Sequence, residues 1–443
     1  MSKRRHDLDN LRTFLTALVI YHHTAITYGG LGSWFKSRNF GGHTSMALAL
    51  FNATNQTFFM GLFFWLSGYL SGNRLSKSPT WDSRYSFLSG KWFHLGLPAV
   101  IYTVFVQPLS QLLVLFDSSG FRLRSETILS TFVSYWKQLR GVRGPLWYPA
   151  TLLGFDMIST FCIPRTISPR AVRRLKRFVS NRLAVSSLWI SSTALTFGIR
   201  TVYPVGATVP VFAVQPAFLP QYILSYALGI ISSLTDTPRL VTPFSSEKSE
   251  ETADTVDTAD TPSSHPIIPY THSALSFPLI TAPIMINRYS PAVGGNPSAA
   301  QNLSPRLDLL NLIGGGLTLP SFLYTAWSEL SFAAIGPSLL QYFSRAHNHP
   351  AKRGSLFHPR YSYAAFLVHT PVAVLSGLVA DRILDGVILR AAAGGQQQLA
   401  NNKLWRILAP VLMTAVVGTG NVLGSFALGR FIVDYVPGVG KVI

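Results

Sequence analysis

Residues 8–28 read LDNLRTFLTALVIYHHTAITY, an apolar run without a single proline or glycine. A helix needs about 17–25 residues to cross the hydrocarbon of a bilayer, and this run has that length. Its charged groups, Asp9 and Arg12, fall near one end, and beyond them only His22 and His23 can ionise. Ser2-Lys3-Arg4-Arg5 ahead of it resembles the basic flank of a signal peptide. The two histidines interrupt the apolar core, however, and no small-x-small cleavage site follows. The run is expected to stay as an uncleaved first span with its basic end in the cytosol.

Further runs of spanning length lie near 52–72, 93–116, 145–163, 183–203, 217–234, 269–287, 309–343, 361–381 and 404–432. The expectation is an all-α, polytopic membrane protein with about ten transmembrane helices, organised as a single domain over 1–443. The run 309–343 is too long for one straight span: either Gly314-Gly315-Gly316 and Pro320 break it, or it tilts and runs on into the cytosol. Pro278 and Pro283 interrupt 269–287, which makes it the weakest of the set. Residues 235–265 stand apart: Glu247, Glu250, Glu251, Asp254, Asp257 and Asp260 sit among Ser and Thr, a composition expected to form a disordered loop.

Only 12% of the 443 residues are charged and 48% are hydrophobic, for a mean hydropathy of +0.29. A soluble domain carries about twice that share of charge. The net charge of +19 raises the question of nucleic acid. Yet the cations sit in short connections between apolar runs, such as Arg170, Arg173, Arg174, Lys176 and Arg177. That placement suits lipid headgroups, so no nucleic-acid partner is expected. Of the 37 Lys and Arg, 21 fall in the N-terminal end's compartment and 12 in the opposite one, which puts both termini in the cytosol. Cys162 is the only cysteine, so neither an internal disulfide nor a cysteine metal site can form.

Ionisable groups inside a span are costly and mark cavities or partners. Arg12 and His23 are eleven residues apart, about three turns plus 20°, so they share one helix face roughly 16 Å apart along the axis. A guanidinium at the mouth can hold a phosphate or pair with Asp9, and an imidazole at depth can move a proton. A packing histidine with a paired arginine is the structural alternative.

The string Leu8-Asp9-Asn10-Leu11-Arg12, followed after ten residues by His23, resembles the signature of the acyltransferase 3 family of membrane-bound acyltransferases. Phe63-Phe64-Trp65-Leu66-Ser67-Gly68-Tyr69-Leu70 is similar to its "FFxxSGYL" run. Lys91-Trp92-Phe93-His94-Leu95-Gly96-Leu97-Pro98 is similar to its "RxxRLxxP", and Gly144-Pro145-Leu146-Trp147-Tyr148 to its "GPLWF". Trp327-Ser328-Glu329, with one residue inserted, and Tyr363 to His369 resemble the later landmarks "WE" and "YLxH". The branch most resembled contains the glucan biosynthesis protein C type and fungal natural-product acyltransferases.

The resemblance implies transfer of an acyl group, acetyl in the first instance, from acyl-CoA to a hydroxyl. It makes His23 the catalytic base and Arg12 its partner. Lys91 and His94 stand where the family has arginines that would grip the donor's phosphates. Lysine keeps a point charge there, but histidine cannot make a bidentate fork, and ordinary positive-inside charge explains both equally well. Glu329 either orients His23 or completes an ion pair with an arginine. His369 reads as a packing histidine or a member of the site, and Ser67, Asp9 and Trp147 as cavity lining.

No metal and no bound cofactor are expected; acyl-CoA is a co-substrate, membrane lipids are partners, and the acceptor is a small lipophilic alcohol of secondary-metabolite type. The expected location is the endoplasmic reticulum or another endomembrane if the source is eukaryotic. Acylation of a glycan, or proton-coupled transport by the same Arg, His and Glu, are the competing readings.

Overall fold

The computed structural model describes residues 4–29, 35, 37–40, 45–118, 124–137, 144–209, 212–237, 239–244, 265–289, 313–391 and 403–442. Among them there are helices and no strands. In chain order these are α1 (His6–Gly29), α2 (Met46–Leu75), α3 (Trp81–Ser118), α4 (Ser125–Lys137), α5 (Trp147–Cys162) and α6 (Pro169–Ser180). There follow α7 (Arg182–Val202), α8 (Leu219–Leu234), α9 (Ile267–Tyr289), α10 (Leu319–Ala346), α11 (Ser362–Ala391) and α12 (Lys403–Tyr435).

Four helical stretches are long and apolar enough to cross a membrane on their own: Trp81–Ser118, Pro216–Leu234, Pro359–Gly386 and Ile407–Tyr435. They carry four of the ten expected spans. Among the described residues the other six expected spans also fall on helices, that of 309–343 from Leu319 onward, but α5 has only 16 residues and the rest carry many polar groups. Many of those polar groups point inward. Asn52, Thr54, Asn55 and Thr57 of α2 are buried, as are Ser321, Thr325, Ser328, Glu329 and Ser331 of α10. Outward positions such as Leu183, Ile190, Val202, Leu412 and Val416 are exposed and apolar. This inversion of the soluble pattern is what a lipid-facing bundle requires, and it explains why hydropathy alone recovers fewer spans than helices.

The break expected before α10 is present. Gly316 takes a positive φ of 82°, Thr318 caps the helix by accepting from the Ser321 N–H, and Pro320 occupies the first turn. α9 runs unbroken through the positions of Pro278 and Pro283. Of the acidic stretch expected to be disordered, residues 245–264 lie outside the described residues.

α3 extends twelve residues ahead of the expected start at 93 and contains two π-turns, Trp92–Gly96 and Tyr102–Val106, ahead of or around Pro98 and Pro108. Pro108 has no N–H for the Val104 carbonyl. The Trp136 indole of α4 donates to that carbonyl instead, at 3.2 Å. α6 carries the basic cluster, with Arg170, Arg173, Arg174, Lys176 and Arg177 all exposed, and Ser168 caps it.

The tightest helix pair is α2 with α8. A Cβ on Gly68 would fall onto the Tyr226 carbonyl, and one on Gly229 onto the Trp65 carbonyl, so only glycine permits this approach. α1 packs against α2, α10, α11 and α12 and occupies the middle of the bundle. The first and last described residues lie at one end of it. Asp7 meets Asn348, Thr13 meets Ser362, Tyr361 meets Asp434, and the Val442 carbonyl meets His94.

Candidate active site

α1 positions the site. It is an uninterrupted helix whose threonines return their hydroxyls to carbonyls four residues back: Thr13 to Asp9, Thr16 to Arg12, Thr24 to Ile20 and Thr27 to His23. These bonds satisfy polar groups where water is absent. At its start the Asp7 carboxylate accepts two hydrogen bonds from Arg5, at 2.9 and 2.6 Å, which raise the Arg5 guanidinium above its ordinary value. Asn10 donates to the carbonyls of His347 and His349, tying α1 to the end of α10.

Arg12 is 40% exposed and lies 3.4 Å from Asp9, which also pairs with Arg4 at 2.9 Å. Eleven residues on, His23 stacks against His369 of α11, with ring centroids 5.2 Å apart and planes 27° apart. His22 turns the other way, onto Phe59 of α2 at 4.9 Å. The His369 Nδ1 faces the Phe366 carbonyl, which can only accept, so Nδ1 carries the proton there and Nε2 is left able to accept. His369 is fully buried, whereas His23 is only partly covered.

Phe366 links this pair to the next wall, because its ring packs on Tyr148 and Phe63 as well as on His369. The Tyr148 hydroxyl lies 2.7 Å from Ser67 and 3.3 Å from the Phe63 carbonyl. The "GPLWF"-like and "FFxxSGYL"-like segments therefore meet each other beside the histidine pair. Trp147 stacks on Tyr222 of α8 at 5.6 Å, away from the histidines.

The remaining candidates sit elsewhere. Lys91 reaches Asp156 of α5 at 2.9 Å and Ser71 at 3.1 Å; Asp156, wholly buried, also accepts from Ser71 and Tyr226 at 2.6 Å each. Its ammonium is thus committed to a buried carboxylate. His94 is exposed, its Nδ1 2.7 Å from the Val442 carbonyl. Glu329 is buried but does not meet His23. Its oxygens accept from Thr196 at 3.4 Å and Gln221 at 3.5 Å, and the charge it faces is Arg200. Among the described residues Glu329 neither contacts His23 nor forms an ion pair; Arg200 of α7 is the cation that faces it.

Arg200 and Asp156 went unremarked in the sequence, and Asn10 was named only within the Leu8-to-Arg12 string, with no contact assigned to it. The first two had a usable signal, since each is an ionisable group inside an apolar run. Asn10 had none, because its partners are backbone carbonyls more than three hundred residues away.

Residues 5–239 match a family model described as an acyltransferase domain, that of the acyltransferase 3 family. The match covers α1 to α8 and so includes Arg12, His23, Ser67, Lys91, His94 and Trp147; Glu329 and His369 lie beyond it. No curated protein and no solved structure matches the chain.

Proposed function

The chain belongs to the acyltransferase 3 family of integral membrane acyltransferases, and on that premise we propose that it moves an acyl group from acyl-CoA to a hydroxyl of a small lipophilic molecule, with His23 as the general base. The observation that carries this reading is the His23–His369 stack in the middle of the bundle, on the same α1 face as Arg12. Imidazole exchanges protons near neutral pH, which acyl transfer to an alcohol demands.

In the proposed step the acceptor hydroxyl gives its proton to His23 while its oxygen attacks the thioester carbonyl. The tetrahedral intermediate expels the CoA thiolate, which takes the proton back from His23. Acetyl is the expected acyl group. His369, its Nδ1 held at the Phe366 carbonyl, packs its ring against His23 and helps to hold it in place. Arg12, with its guanidinium partly open at the end of the helix, is the cation available to a donor phosphate. Lys91 is less suited to that task, because leaving Asp156 would strand a buried carboxylate.

The test uses membranes bearing wild type or His23→Ala, a panel of labelled acyl-CoAs and a cell extract, with label followed into small molecules by mass spectrometry. Label entering one product only with wild type supports the reading. Equal labelling by the two proteins removes His23 from the chemistry.

A further inference from the structure

A second polar cluster lies at the end of the bundle opposite Asn10, since α10 presents its last residues to Asn10 and its early residue Thr325 to Arg200. Arg200 has no exposed surface, and its guanidinium sits over the rings of Phe218 and Tyr324, 5.0 Å from each. Its Nε donates to the Ala217 carbonyl at 3.1 Å and its Nη1 to Thr325 at 2.9 Å. Its Nη2 is buried and makes no hydrogen bond. Glu329, one turn from Thr325, holds only the two long contacts to Thr196 and Gln221. Guanidinium and carboxylate thus share one enclosure without touching. The Gln221 Oε1 and the hydroxyls of Ser321 and Ser328 are likewise buried without a hydrogen-bond partner.

α2 stands between this cluster and the histidines. Phe59 faces His22, while Gly61, about 200° round the helix, receives Phe332, one turn along α10 from Glu329.

We propose that Arg200, Glu329 and Gln221 form a separate binding site for a neutral, hydroxyl-rich small molecule, a vicinal diol or polyol. A buried donor left unpaired is costly, and one beside a loosely held carboxylate is a matched pair of contacts. A hydroxyl satisfies both at once, accepting from the Arg200 Nη2 and donating to Glu329. A carboxylate or phosphate would answer the arginine but oppose Glu329, and an ammonium would do the reverse. A second hydroxyl on the adjacent carbon can donate to the Gln221 Oε1. The inference stands on this cluster alone and goes beyond the acyl-transfer reading.

The experiment is calorimetric binding of 1,2-decanediol and 1-decanol to the full chain in nanodiscs, compared at equal membrane mole fraction, with empty nanodiscs subtracted. The diol is expected to bind the wild type about fivefold more tightly than the alcohol, the effect of the second hydroxyl's hydrogen bond to the neutral Gln221 Oε1. That gap should close in Gln221→Met, which removes this acceptor. Glu329→Gln and Arg200→Lys, which alter the contacts of the hydroxyl both probes share, should weaken both probes, each variant accepted only with a wild-type size-exclusion profile. His23→Ala should keep the gap, so that a failure of acyl transfer leaves this result legible. Equal affinities for the two probes in wild type would overturn the proposal. So would a gap that survives in Gln221→Met, or binding of both probes unchanged in Glu329→Gln and Arg200→Lys.

Discussion

The His23–His369 stack and the Arg200–Glu329 cluster are both polar islands in an apolar bundle, yet they are built on opposite terms. The histidines touch each other, and one of them is only partly covered. Arg200 and Glu329 are completely enclosed and do not touch. An imidazole can gain and lose a proton in a working cycle, whereas a guanidinium cannot be deprotonated in a protein. The first arrangement suits chemistry and the second suits recognition by fixed charges. α2 keeps them apart.

The contrast can be broken at its strongest point first. His23→Ala should cut the labelled transfer rate by about 10²–10⁴-fold, the range of a lost general base, with membrane insertion unchanged. A wild-type rate in that variant would leave the stack as mere packing. Next, Arg200→Met should lower stability by about 3–5 kcal/mol, because it leaves Glu329 buried without its counter-charge. Arg200→Met with Glu329→Gln should regain most of that loss in detergent thermal melts; a double variant no better than the single would show that the two residues are not coupled.

Lys91→Met tests whether a cation assigned to the donor belongs to the fold instead. The Asp156 pair predicts a drop of about 3 kcal/mol in stability, from an abandoned buried carboxylate. A raised KM for acyl-CoA at an unchanged melting temperature would return Lys91 to the donor site. The smallest effect belongs to Asp9→Asn. Its pairs with Arg4 and Arg12 are partly open to solvent, so stability should move by less than about 1 kcal/mol and fade further in high salt. A loss of several kcal/mol would place Arg12 deeper in the fold's electrostatics than its geometry implies.

Much of this architecture was legible in the sequence because the physics is local. Spanning length, the break at Gly314 to Pro320 and the shared face of Arg12 and His23 all follow from spacing along one chain segment. What escaped depends on contacts between distant segments. α3 begins earlier than its apolar run because Trp81 to Ser89 is a polar but regular helix capped by Thr80. The stack of His369 on His23 was not legible either, because nothing in its own stretch of sequence names His23 as its neighbour. The arginine that faces Glu329 could not be chosen among many until α7 and α10 were brought side by side.

The glycines at 68 and 229 have a mechanical consequence. At these crossings, where backbone rests on backbone, α2 and α8 have no side chain to compress or slide, which couples their movement there. Any breathing that lets a bulky molecule into the bundle must occur at seams made of flexible side chains, such as that between α1 and α11, where the two histidines meet.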